Sequence, residues 1–195
     1  GRVGDRANGE RDIFLSEYSG EGNHEWSEQY GSPKGDNVFG LAIDPRNGDL
    51  LLAGTTRGEL WGNTQTDTAG YHVTRFDRSG GHRWTTFIGH ADTQLADLAV
   101  DPETGESYIV GKSMKTVAGF EPAGNWDAFA QAVDSDGGIT WTEMIGTEKA
   151  DWGMGIGAVN VADQLRLVIS GKTSGDLDGQ MFHGGSSDAF FSRLE

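Results

Sequence analysis

The acidic residues whose spacing could bind a metal ion lie in two glycine-rich segments. The segment Asp134–Gly138, DSDGG, resembles the start of a calcium-binding loop, but the twelfth position of such a loop needs a carboxylate and is Ile145 here. A β-turn therefore explains this segment better. In the segment Gly175–Gly179, GDLDG, the carboxylates of Asp176 and Asp178 are candidate ligands for a hard cation such as calcium. No other cofactor is expected.

A second set of candidate residues could bind a macromolecule or a sugar. Aromatic rings in surface loops are typical anchors of binding interfaces, and neighbouring carboxylates can accept hydrogen bonds. Local packing of these rings is the alternative. The predicted binding residues are Trp61, Trp126, Trp152, Asp36, Asp92 and Asp151.

Catalytic patterns are not recognisable in the sequence. The five histidines are scattered without the spacing of metal ligands or of a catalytic triad, and G-x-S-x-G does not occur. The segment Gly153–Gly157, GMGIG, lacks the strand and helix context of a dinucleotide-binding motif. We therefore predict that the chain is not an enzyme. The alternative is an enzyme whose site lies outside this segment.

Composition narrows the classes of partner. The formal net charge is −15, whereas nucleic-acid binding requires a basic face, so nucleic acid is not an expected partner. Cysteine is absent, which excludes disulfides and thiolate metal sites. No apolar run approaches the roughly 20 residues of a transmembrane helix, so no transmembrane segment is expected.

Three tryptophans mark an internal repeat. Trp26, Trp84 and Trp141 are 58 and 57 residues apart, and each is followed five residues later by glycine. A second block also occurs three times, as LAIDPRNGDLLLAGTT, LAVDPETGESYIVGKS and GAVNVADQLRLVISGKT. Such periodicity is typical of proteins built from similar units packed side by side. We expect Trp84 and Trp141 to be largely buried between neighbouring units.

Each period contains four short segments typical of β-strands. In one copy they are Leu41–Ile43, Leu50–Ala53, Tyr71–Phe76 and Arg83–Phe87. Polar and apolar residues alternate in YHVTRF, and DPRNGD and DRSGGH supply the residues that tight turns need. No capped amphipathic helix is recognisable. We therefore predict an all-β protein with four antiparallel strands per repeat, the arrangement of a β-propeller blade.

These blocks resemble the bacterial β-propeller repeat family, which is named for seven-bladed propellers. Its units read D-A-F-V-x-K-x-D-x-x-G, then a tryptophan strand, then G-I-A-V-D and V-Y-V-x-G-x-T. The segments DAFAQAVDSDGGITW, GLAID and LLLAGTT match this pattern, and GYHVTRFDRSGGHRW matches it with Gly70 in place of the aspartate. The resemblance covers almost the whole chain. It implies that the AID and AVD strands line a central channel and that the tryptophan strands lie outermost.

The repeat units expected from these matches are 12–69, 70–126 and 127–187, with another starting at 188. The chain then holds two strands of one blade, two whole blades and three strands of another, about three and a quarter repeats. A propeller usually has about four to eight blades. We therefore expect a fragment of a larger propeller.

The function expected for such a fragment is that of a non-catalytic binding or assembly scaffold. Contact would use either the exposed edges of the blades or the loops around 31–40, 55–70, 90–96, 112–126, 147–155 and 172–187. The partner would be another protein, additional blades of the same protein, or a glycan. A lectin-like, carbohydrate-binding propeller is the alternative function. We expect an extracellular or cell-surface location, with the periplasm or an organelle lumen as alternatives.

Overall fold

The computed structural model describes residues 9–62, 70–89, 92–162 and 164–194. Within these residues the chain forms β-strands and no helix, which confirms the all-β prediction, and nothing in them is a helix long and apolar enough to cross a membrane. The strands are β1 (Ile13–Tyr18), β2 (His24–Tyr30), β3 (Asp36–Ile43), β4 (Leu50–Thr56), β5 (Gly70–Phe76), β6 (His82–Ile88), β7 (Thr93–Val100), β8 (Ser107–Ser113), β9 (Asp127–Val133), β10 (Ile139–Ile145), β11 (Asp151–Val161), β12 (Gln164–Thr173) and β13 (Asp188–Leu194).

The strands form four antiparallel sheets in chain order. Sheet I contains β1 and β2, sheet II contains β3 to β6, sheet III contains β7 to β10, and sheet IV contains β11 to β13. Within each sheet, strands that neighbour each other in space also neighbour each other in sequence. Short turns connect some of them, such as β5 and β6, and longer segments connect others, such as β8 and β9. The strand numbers of two, four, four and three equal those expected from the repeat.

A β-bulge interrupts the first strand of sheets II, III and IV at the same place. The pairing register shifts between Val38 and Gly40 in β3, between Leu95 and Asp97 in β7, and at the corresponding place in β11. A bulge adds one residue and breaks the alternation of side chains. The early part of each strand is therefore not visible as a period of two in the sequence.

The loops predicted around 31–40, 90–96 and 147–155 are consequently too long. The last residues of each segment belong to a strand and not to a loop. These strands begin at Asp36, Thr93 and Asp151.

The sheets lie side by side, with their first strands adjacent. Strand β3 contacts β7, and β7 contacts β11. A Cβ atom added to Gly40 of β3 would lie 3.0 Å from the side chain of Leu98 in β7. A Cβ atom added to Gly153 of β11 would lie 2.5 Å from the side chain of Val110 in β8. Glycine at these places lets the sheets approach closely. The strands β2, β6 and β10, which carry the repeated tryptophans, form the opposite edges of their sheets.

The hydrophobic core lies between successive sheets. One cluster joins Leu51 and Val73 of sheet II to Ile109 and Phe129 of sheet III. A second cluster joins sheets III and IV, and a third joins sheets I and II. Each sheet is therefore stabilised mainly by the apolar side chains of its neighbours.

An aromatic ring packs over a glycine of the neighbouring strand in sheets III and IV. A Cβ atom on Gly111 would lie 2.9 Å from the ring of Phe129, and one on Gly171 would lie 2.6 Å from the ring of Phe190. Sheet II has His72 at this place, over Gly54. The imidazole of His72 is completely buried.

A buried ion-pair network fixes the β3–β4 turn. The Arg75 guanidinium binds the carboxylates of Asp44 at 2.5 Å and Asp49 at 2.8 Å, and all three side chains are buried. It also donates a 3.2 Å hydrogen bond to the Gly105 carbonyl in sheet III. Hydrogen bonds, above all from Arg46, lower the pKa of Asp44 to about 2.

Candidate functional site on the loop face

The loop face is the side of the molecule at which β4, β8 and β12 end. Two of the predicted tryptophans meet two lysines there. The Lys112 ammonium lies 3.1 Å from the ring centroid of Trp152 and 4.8 Å from that of Trp126, and Lys172 lies 3.5 Å from that of Trp152. We call these four residues the lysine–tryptophan site.

Strand pairing positions the site across the boundary between sheets III and IV. Trp152 and Lys172 are direct partners in the β11–β12 register, so their side chains share one face of sheet IV. Lys112 comes from β8 of sheet III, and Trp126 precedes β9 and forms a bridge with Ala150. Each cation lies over the face of an indole, the geometry of a cation–π contact.

The described residues place no carboxylate in ion-pair contact with the two lysines. Burial, and then the positive charge of Lys172, lower the pKa of Lys112. The site thus brings two positive side chains together on a chain of net charge −15.

Trp61 lies away from this site and is held by other aromatic rings. Its indole stacks on the imidazole of His82, with 4.3 Å between ring centroids. It also contacts Tyr30 of sheet I and Phe76 of sheet II. Packing between sheets I and II therefore accounts for Trp61, the alternative that the sequence left open.

Two of the predicted acidic residues are used inside the protein. Asp36 and Asp151 are buried strand residues, and their carboxylates accept backbone hydrogen bonds from Ser32 at 2.7 Å and Thr147 at 2.6 Å. Their predicted position in exposed loops is wrong, because each carboxylate caps the turn that leads into its strand. Asp92 is exposed on the loop face, outside the lysine–tryptophan site.

The predicted calcium ligands lie in a tight turn. Asp178 has a φ of +50°, and Trp61 and Ala118 have nearly the same left-handed conformation in the corresponding turns. Asp176 accepts a 2.8 Å hydrogen bond from the backbone of Phe182. Both carboxylates are exposed. Within the described ranges, no group of three or more acidic, histidine or cysteine side chains is placed to hold a metal ion, so calcium binding stays a prediction.

Trp84 and Trp141, which the sequence predicts to be largely buried, have intermediate exposure, and each packs against a hydrophobic core cluster. Each lies on an outer strand, where one side faces solvent. The indole of Trp84 donates a 2.8 Å hydrogen bond to the carbonyl of Ser135, and Thr86 donates one of 2.6 Å to that of Gly137. The β9–β10 turn of sheet III therefore packs on β6 of sheet II.

The first strand of sheet II exposes positions that are buried in sheet III. Leu98 of β7 is 6% exposed, whereas Leu41, at the same place in β3, is 54% exposed. Leu95 of β7 is likewise buried, whereas Val38, at the same place in β3, is exposed. The apolar face of β3 borders a groove of about 520 Å³ that is also lined by Ile13.

Sheet IV exposes a corresponding surface at β13. Ala130 of β9 is fully buried, whereas Phe191, at the same place in β13, is 80% exposed. Beside β13 lies a groove of about 820 Å³, lined by Tyr108, Trp141 and Leu167 among other residues. Beside Trp26 and Trp84, the repeated tryptophans of sheets I and II, the corresponding space holds Gly80 and Gly137 of the next sheet.

The lysines of the lysine–tryptophan site were not predicted from the sequence. A signal was present, because the second repeated block ends in GKS at 111–113 and in GKT at 171–173. The contact of Lys112 with Trp152 connects two sheets, so it depends on their relative placement, which local sequence patterns do not define.

Comparisons with known proteins show a distant similarity to a much longer protein. No family model matches the chain. The chain is 26% identical over 183 residues to the regulatory protein FlaEY of Caulobacter vibrioides, and the match covers 86% of this chain and 19% of that protein. The chain thus spans about a fifth of the length of the curated relative that it matches.

Proposed function

We propose that this chain is a run of β-propeller blades that acts as a non-catalytic assembly scaffold, and that its end sheets bind further sheets of the same repeat. The observation that carries the proposal is the difference between β9 and β13. Positions that are buried in β9 are exposed in β13, including Phe191, although the two strands have the same place in the repeat. An exposed apolar strand edge is a template for pairing with another strand.

The inner sheets indicate which occupant fits the groove beside β13. In sheet III, β10 pairs with β9, and the turn before β10 packs on Trp84 of sheet II. Trp141 has the place of Trp84 one repeat later and lines the open groove. A strand preceded by a turn of the DSDGG type would therefore pair with β13 and cover Trp141.

The resemblance of the sequence to bacterial β-propeller repeats supports this proposal. The similar Caulobacter protein is described as a regulatory protein and is about five times as long as the matched region. A scaffold that adds sheet to sheet suits such a role, because regulation by binding needs surfaces and not a catalytic centre.

A peptide with the sequence of Asp134–Ile145 tests the proposal. We expect it to bind the intact chain by adding a strand to β13, as β10 adds to β9. Phe191→Glu should weaken binding at least tenfold, because it removes an apolar side chain and places a carboxylate opposite Glu143 of the peptide in the β9–β10 register. Binding is measured by calorimetry with the isolated chain.

The matched control is Ser79→Glu, which adds the same charge at the exposed β5–β6 turn and should leave binding unchanged. A peptide of the same composition in scrambled order should not bind. Equal binding of the ordered and scrambled peptides, or full binding to Phe191→Glu, would contradict strand addition at β13.

A further inference from the structure

A chemically reactive pair of residues lies in the β3–β4 turn. Asn47 is exposed and is followed by Gly48. In an Asn–Gly pair the backbone nitrogen of the glycine can attack the side-chain carbonyl carbon of the asparagine, because glycine has no Cβ atom to hinder the approach. Asparagine is accordingly among the thermolabile residues of proteins. The sequence contains a second Asn–Gly pair at 8–9, where Asn8 lies outside the described residues.

The reaction, called deamidation, releases ammonia and needs only water. The nitrogen of Gly48 bonds to Cγ of Asn47 and loses its proton, the side-chain nitrogen of Asn47 leaves as ammonia, and a cyclic succinimide remains. Water then opens the ring at either of its carbonyl carbons. The product is aspartate or isoaspartate, so a neutral amide becomes a carboxylate in both cases.

The folded turn keeps both reacting groups in hydrogen bonds. The backbone N–H of Gly48 donates a 2.8 Å hydrogen bond to the carbonyl of Asp44, so the nitrogen is not free to attack. The amide oxygen of Asn47 accepts a 2.9 Å hydrogen bond from the backbone of Asp49, and the amide nitrogen donates one of 3.1 Å to the Asp49 carboxylate. The attack therefore requires local opening of the turn.

The β7–β8 turn has the same conformation without the reactive amide. Gly105 has a φ of +70° and Gly48 has a φ of +78°. The N–H of Gly105 donates a 2.9 Å hydrogen bond to the carbonyl of Asp101, as Gly48 does in its own turn. Thr104 has the place of Asn47, and its hydroxyl donates a 2.7 Å hydrogen bond to the Asp101 carboxylate. Asparagine is therefore not needed for this turn to form.

We propose that Asn47 is a modification site, at which opening of the β3–β4 turn leads to deamidation, and that the new carboxylate weakens the buried ion-pair network of Arg75. The Asp49 carboxylate accepts hydrogen bonds from Arg75 at 2.8 Å and from Asn47 at 3.1 Å. Deamidation replaces the second donor by a group of the same charge as Asp49, which destabilises the turn. Because Arg75 also donates a hydrogen bond to the Gly105 carbonyl, the effect extends to the contact between sheets II and III.

This modification is independent of the proposed assembly. The β3–β4 turn lies at the opposite end of β4 from the loop face, and strand addition is proposed at β13 of sheet IV. Failure of deamidation at Asn47 and failure of strand addition at Phe191 are therefore separate results.

Incubation of the intact chain at mildly alkaline pH, both folded and in guanidinium chloride, tests the protection by the turn. Peptide mapping by mass spectrometry follows the loss of ammonia and the later gain of water at Asn47, and chromatography separates aspartate from isoaspartate. We expect conversion to be at least ten times slower in the folded chain, because only open turns react. The map separates the peptide with Asn47 from the peptide with Asn8.

Hydrogen exchange at the Gly48 amide tests the consequence for the turn. Asn47→Asp reproduces one product, and it should speed this exchange about tenfold, because a hydrogen bond to a charged group is replaced by repulsion. The folded chain should show the same change after Asn47 has been converted. Asn47→Thr is the matched control and should stay close to the wild type, because threonine has this place in the β7–β8 turn.

Thermal melts of both variants check that the fold is retained. Equal rates of conversion in the folded and the unfolded chain, or no conversion of Asn47 in the unfolded chain, would overturn the proposal. Exchange at Gly48 that is the same in Asn47→Asp, Asn47→Thr and the wild type would overturn the predicted effect on the turn.

Discussion

Replacing Arg75 by methionine is expected to lower the free energy of unfolding by about 3–5 kcal/mol, the range measured when one partner of a buried ion pair is removed. The guanidinium binds Asp44 and Asp49, and both carboxylates are buried. Methionine keeps much of the volume but leaves the two negative charges without this cation. Urea unfolding at pH 7 followed by circular dichroism measures the change.

Arg83 provides the matched control for this prediction. It also binds Asp49, at 3.0 Å, but its side chain is 50% exposed. Exposed ion pairs contribute about 0–1 kcal/mol, so Arg83→Met should have a small effect. Equal stability of the Arg75 and Arg83 variants would contradict the prediction.

Replacing His72 by phenylalanine is expected to stabilise the protein by about 1–3 kcal/mol at pH 7, the cost of a buried polar group without a hydrogen bond. The Nδ1 atom of His72 lies 3.0 Å from the Thr74 hydroxyl, but Nε2 has no hydrogen-bond partner among the described residues. Phenylalanine occupies the corresponding place in sheets III and IV, at Phe129 and Phe190. The Thr74 hydroxyl keeps its contact with Thr85.

The stabilisation by His72→Phe should increase in acid. Burial lowers the pKa of His72 from 6.5 to about 4. The unfolded chain therefore binds a proton below pH 6.5, whereas the folded chain does so only near pH 4, and wild-type stability falls between these values. Protonation of His72 in the unfolded chain therefore lowers the wild-type free energy of unfolding by about 3 kcal/mol as the pH falls from 6.5 to 4. The variant His72→Phe lacks this titrating group, so it should not lose this part of its stability in acid.

Urea unfolding of both proteins at pH 7, 5.5 and 4 measures this difference. His183→Phe is the control, because His183 is exposed, and it should keep the wild-type dependence on pH. The same slope of stability against pH for the wild type and His72→Phe would show that His72 is not the group responsible.

The sequence predicted the strands and their number because these depend on local patterns. Polar and apolar residues alternate in β5, and glycine and aspartate define the turns on either side. The early parts of β3, β7 and β11 were missed because the bulge interrupts the alternation. Asp36 and Asp151 were mistaken for exposed loop acids because the backbone groups that they cap are not recognisable in the sequence.

The candidate site was predicted only in part. Trp126 and Trp152 were identified because they are not repeated, and the structure brings them together. Trp61 was selected by the same argument but packs against Tyr30 and Phe76. Lack of repetition thus indicates that a side chain is special to one unit, but it does not distinguish a ligand contact from packing.

Each strand pairs with strands that are its neighbours in the sequence, and this arrangement affects the kinetics of folding. Contacts within a sheet are close in sequence, so little loop entropy is lost when a sheet forms. Each sheet can form as it leaves the ribosome, and the contacts between sheets then propagate along the chain, as in other repeat proteins. Amide hydrogen exchange should accordingly be slowest in sheets II and III and faster in sheets I and IV, since an inner sheet has two neighbours and an end sheet has one.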